Sequence, residues 1–124
     1  MHKALKIIVC LPAILFLMIG VRILVEPEGA LKELGMPLLD GLGRSTQIGD
    51  LGAFFISGAS MVLIGVFTGK REWLYAPAML LGMTAIFRIW ATVGHDAALA
   101  VEQIGVEVVV TALLLFAASR IKTA

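Results

Sequence analysis

One cysteine, two histidines and a charged fraction of 15% leave this 124-residue chain little for polar chemistry. The lone Cys10 excludes both a disulfide-stapled module and the paired thiols of a membrane redox relay. His2 and His95 fall on opposite sides of the membrane in the reading below, so they do not form a pair that could bridge a haem, and no set of residues has metal-ligand spacing. There is no His-Glu-x-x-His motif, no glycine-rich phosphate loop and no serine nucleophile elbow. Charge of either sign is scarce. Ten Lys plus Arg against nine Asp plus Glu leave a net +1 with no basic block, which argues against nucleic acid as a partner.

What the chain does have is apolar surface: 60% of its residues are hydrophobic and the mean hydropathy is +0.99. Its length suits a single domain, 1–124. So apolar a composition is neither disordered nor able to stay monomeric in water. A bilayer core about 30 Å thick takes roughly 20 apolar residues in a helix that rises about 1.5 Å per residue. Four runs meet that requirement, 4–25, 51–69, 73–93 and 97–119, and they predict an all-α, integral membrane four-helix bundle. His2, Lys3 and Lys6 precede the first run as they would in a signal peptide. Arg22, Glu26 and Pro27 follow it without a small-x-small site, so it reads as a retained span. Residues 26–49, punctuated by Gly35, Pro37, Gly41, Gly43 and Gly49, read as an outer loop in which 27–34 forms a short amphipathic interfacial helix. The connections 70–72 and 94–96 are short enough to make consecutive spans antiparallel neighbours.

Counting cations gives an orientation. Lys3, Lys6, Lys70, Arg71, Arg120 and Lys122 share one face, whereas only Lys32 and Arg44 lie on the other, so the positive-inside rule places both termini in the cytoplasm. Trp73 and Tyr75 at the inner face, and Trp90 towards the outer one, suit interfacial anchoring. Gly65 and Gly69 form a small-xxx-small pair suited to close helix packing.

The spans are interrupted by charge, and magnitudes show why this matters. A central Arg or Asp costs about 2.5–3.5 kcal/mol to insert, while each Leu, Ile, Val or Phe returns only about 0.3–0.6. In 73–93 the seven such residues together return roughly 3 kcal/mol, no more than one central Arg would cost. Arg88 can snorkel, but Glu107 has little reach; counted from Ala97 it lies roughly 15 Å into the membrane and needs a proton or a cation. Helical spacing aligns Thr84, Arg88, Thr92 and His95 on one stripe, and Gln103, Glu107 and Thr111 on another. Turning these stripes inward would gather Arg22, Asp50, Arg88, His95, Gln103 and Glu107 into one ion-pair or ligand-binding cluster. Arg88 would meet Glu107 or Asp50, and Arg22 the remaining carboxylate. Asp50 could equally cap the start of its span, His95 could be a water-exposed loop residue, and the Arg88–Glu107 pair could be purely structural. Glu102 points to the outer interface, about 140° around the helix from Glu107.

Such a site suits a small binding or accessory protein engaging a lipid-like molecule, a quinone or partner transmembrane helices, in a homo-oligomer or larger complex. One alternative is a membrane-embedded enzyme on a lipophilic substrate, an acid/base isomerase or redox type, with Glu107, Asp50 or His95 as proton acceptor and Arg88 as support. Another is a small proton-coupled transporter. Small multidrug transporters have four spans at this length but carry their coupling carboxylate in the first span, which here contains no acid. Gly49-Asp50 with Phe54-Phe55 behind it, the lone Arg88, and Gly105-x-Glu107 resemble an uncharacterised bacterial family of small four-helix membrane proteins similar to the DoxX-like group. The resemblance implies the bacterial inner (plasma) membrane, with quinone or lipid as the molecules to consider, since some DoxX relatives are implicated in membrane redox complexes as small quinone-associated subunits. It transfers no catalytic residue, cofactor or metal.

Overall fold

A computed structural model describes residues 1–122. His2 opens the first helix, its Nδ1 accepting the Ala4 N–H at 3.1 Å, and α1 then runs over Lys3–Val25. The short α2, Pro27–Glu33, starts on a proline whose missing N–H is no loss at that position, and folds back to bury Ala30 and Leu31 against α1. It ends where Gly35 takes φ +86°, letting the Met36 N–H reach back to the Leu31 carbonyl at 2.9 Å. Three long helices follow, α3 over Gly41–Thr68, α4 over Glu72–His95 and α5 over Val101–Arg120. No strand occurs among the described residues, so the chain is all-α.

The main departure from the sequence reading is the start of α3. It begins at Gly41 rather than Leu51 and passes through a π-helical turn at Gln47–Leu51. Glycines alone do not distinguish a loop from a helix here. Gly41 has φ +58° and turns the chain, but Gly43 and Gly49 are helical. Arg44 secures this end, its Nε donating to the Leu39 carbonyl at 2.8 Å and its Nη2 lying 3.1 Å from Asp40. Two other boundaries also shift. The α3–α4 connection is Gly69–Arg71, and α5 begins at Val101 rather than Ala97.

Gln47 is the buried polar residue that spacing did not single out. Its Oε1 accepts the Leu39 N–H at 2.8 Å and its Nε2 donates to the Pro37 carbonyl at 3.0 Å, fastening the 36–39 segment onto α3. Replacing Gln47 with Ala leaves those two backbone groups without their partner. Local opening should become easier by about 1–3 kcal/mol, read as faster hydrogen exchange at the Leu39 amide.

The closest helix pairs are α1 with α3 and α4 with α5, with α3 against α4 joining the two. Their continuous core includes Val9 and Ala13 of α1, Val62 and Val66 of α3, Leu74 of α4 and Leu114 of α5, and so fills the half of the bundle nearer the chain ends. Gly65 permits close approach here: a Cβ at that position would lie 2.9 Å from Leu74 Cδ2 and 3.1 Å from Trp73 Cβ. Gly69, expected to share that packing role, has open space around it; it ends α3 at φ +68°, its N–H bonded to the Gly65 carbonyl.

Only 22–28% of the most apolar stretch of each long helix is buried, so most of this apolar surface must meet an apolar solvent. Phe67, Val93 and Val25 are each more than 70% exposed. With four helices long and apolar enough to span, the chain is a small multi-pass membrane protein.

Candidate functional site

Arg88 and Glu107 face each other across the α4–α5 seam. The Arg88 Nε donates to both carboxylate oxygens of Glu107, each at 3.0 Å. The Glu107 side chain is 9% exposed and that of Arg88 36%, so the acid is enclosed and the base is at the edge. Their depths match. Arg88 lies seven residues before the α4 terminus at His95 and Glu107 six residues after the α5 start at Val101, or about 10 Å from the ends of both helices. The pair is thus nearer the membrane boundary than the count from Ala97 suggests, because the 97–100 stretch is not helical.

The stripe hydroxyls are turned to the backbone rather than to the pair. Thr84 Oγ1 donates to the Leu80 carbonyl and Thr111 Oγ1 to that of Glu107, both at 2.6 Å, while Thr92 Oγ1 reaches the Arg88 carbonyl at 3.3 Å. Thr111 also marks a close seam, for a Cβ on Gly82 would touch its Cγ2 at 3.5 Å. With the Glu107 oxygens sharing Nε, Arg88 Nη1 and Nη2 have no hydrogen-bond partner among the described residues. A guanidinium carries five N–H donors, so the part of the group outside the ion pair can still engage an acceptor.

The other anticipated members lie elsewhere. Gln103 is half-buried one turn before Glu107 on α5. Arg22, expected to join an intramembrane carboxylate, instead pairs with the acids of the chain that follows its own helix: its Nη1 is 2.7 Å from Glu33 Oε2 and its Nε 3.6 Å from Glu26 Oε2. It sits in the last turn of α1, where a long side chain reaches the boundary more cheaply than it crosses the bundle. Asp50 is exposed inside the π-helical turn and neither caps a helix nor forms an ion pair among the described residues, because α3 starts well before it. His95 is exposed at the end of α4, its ring edge-on to Trp90 at 6.0 Å.

Beside the pair, towards the chain ends, all four long helices contribute to a narrow apolar crevice with a free volume of about 20 Å³. Phe16, Phe54 and Phe55 form much of its wall, with ring-centroid separations of 5.3 Å for Phe54–Phe55 and 5.7 Å for Phe16–Phe55. Pro12 and Pro77, the prolines inside α1 and α4, line it as well. Val110 on its wall is one turn, about 4.5 Å of helical rise, from Glu107, and Leu81 is two turns from Arg88. Neither Glu107 nor Arg88 is itself on the lining. No group of three or more His, Cys, Asp or Glu suited to a metal ion occurs among the described residues.

The chain matches no family model, no curated protein and no solved structure. The resemblance to the DoxX-like group therefore rests on its short motifs, and the comparisons identify no family.

Proposed function

We propose that this membrane protein is a binding module for a lipophilic molecule, such as a quinone or a lipid, whose apolar body packs against the aromatic mouth of the crevice and whose polar end accepts hydrogen bonds from Arg88. The observation that carries this reading is the Arg88 guanidinium, anchored through Nε and open at both Nη atoms, within two helical turns of a four-helix crevice. Binding is favoured over acid–base catalysis or proton coupling because both Glu107 oxygens are engaged by Arg88.

Native mass spectrometry of gently extracted protein tests the proposal. A small-molecule adduct should survive in the wild type and be lost in Gly58→Leu. Gly58 lines the crevice, and a Cβ there meets open space, so a leucine fills the cavity without disturbing a helix contact. Absence of any wild-type adduct, or equal retention in Gly58→Leu, would refute the reading. The same spectrum counts copies of the chain, and a homo-oligomer is the state proposed from its small size.

A further inference from the structure

The end of the bundle remote from Arg88 holds a second cavity, and its chemistry is different. The start of α1, the end of α3 and the residues after α5 line an open cavity of about 330 Å³ between Lys6, Phe67, Gly69, Ile121 and Lys122. Lys6 and Lys122 are exposed, and neither side-chain ammonium has a hydrogen-bond or ion-pair partner among the described residues. Two more cations adjoin the rim. Lys70 follows Gly69, and Arg71 donates through Nη2 to the carbonyl of Ile121. At this end of the helices the sole acidic side chain among the described residues is Glu72, which is exposed at the start of α4. The remaining wall includes Val66, Phe67 and Ile121, so unbalanced positive charge stands directly against apolar surface.

We propose that this cavity binds one anionic phospholipid, its phosphate between Lys6 and Lys122 and the upper part of an acyl chain along Phe67 and Val66. Basic pockets between transmembrane helices at a membrane face have the chemistry of anionic headgroup sites. A free phosphate shares the attraction to the lysines but gains nothing from the apolar wall, which is why the occupant assigned is a lipid. This site is separate from the crevice below Arg88, and it stands or falls independently of the function proposed there.

The test uses the full chain in mild detergent, with phosphatidylglycerol and phosphatidylcholine of matched acyl chains competing for retention in the native mass spectrum. Phosphatidylglycerol should be retained in preference. Lys6→Gln with Lys122→Gln should weaken that retention roughly twenty-five-fold, at about fivefold per lysine, while Lys32→Gln on the other face leaves it unchanged. Millimolar inorganic phosphate should not displace the lipid. Equal retention of the two lipids, full retention in the double variant, or displacement by inorganic phosphate would each overturn the assignment.

Discussion

Glu107→Ala should be among the most damaging substitutions in the protein, lowering stability by about 2–3 kcal/mol in a reversible detergent-unfolding assay. The carboxylate itself is expendable; the damage comes from the partner left behind. Arg88 would keep its full charge at the α4–α5 seam with its Nε no longer satisfied. Glu107→Gln should be milder, because the amide oxygen still accepts from Nε, although the charge attraction is gone. The double variant Arg88→Leu with Glu107→Leu should recover most of the stability, since removing both charges leaves neither unpaired and joins two apolar faces. A strictly additive double variant would mean that the two side chains do not stabilise each other.

Gly20→Val is the second substitution with a large expected effect. A Cβ at Gly20 would stand 2.5 Å from Ile56 Cγ1 and 3.2 Å from both Ile56 N and Phe55 Cβ. None of these atoms is the free end of a flexible chain, so α1 and α3 must separate to admit a side chain. Overpacking of this kind costs about 1–3 kcal/mol, and here it also displaces Phe55 from the crevice wall. Folded yield and melting temperature should both fall. Gly105→Ala supplies the contrast. It meets nothing within 4 Å, and by replacing a helical glycine it should be neutral or stabilising by up to about 1 kcal/mol. If the two substitutions behave alike, close approach of α1 and α3 is not what Gly20 provides.

These cases show what the sequence can and cannot reveal. The four spans were legible because each is a long apolar run, and hydropathy reports the solvent directly. A meeting of Arg88 with Glu107 or Asp50 was legible as a necessity, since an acid in a span must find a proton or a cation. Spacing gave the face of each helix on which a charge lies, but not how the helices turn towards one another. Arg22 was therefore assigned inward, whereas it turns to Glu33 and Glu26, and Asp50 stands alone. Counting from Ala97 puts Glu107 too deep, because 97–100 is Ala-Ala-Leu-Ala, with no Gly or Pro to signal that the helix starts only at Val101. Gly43 and Gly49 were read as loop because a glycine letter does not encode φ, while Gly35 and Gly41 do adopt the left-handed conformation that only their lack of a side chain makes easy. Gln47 had no partner pattern to reveal it, since what it bonds is backbone. The crevice emerges only when Phe16, Phe54 and Leu81, far apart in the chain, come together.

The most direct test of the central claim, that the α4–α5 ion pair presents Arg88 to a ligand, is adduct retention by the Arg88→Leu/Glu107→Leu variant in the native mass spectrum. With the second cavity disabled by Lys6→Gln and Lys122→Gln, a folded protein with the small molecule lost is expected; a folded variant in that background that keeps its adduct would contradict the claim.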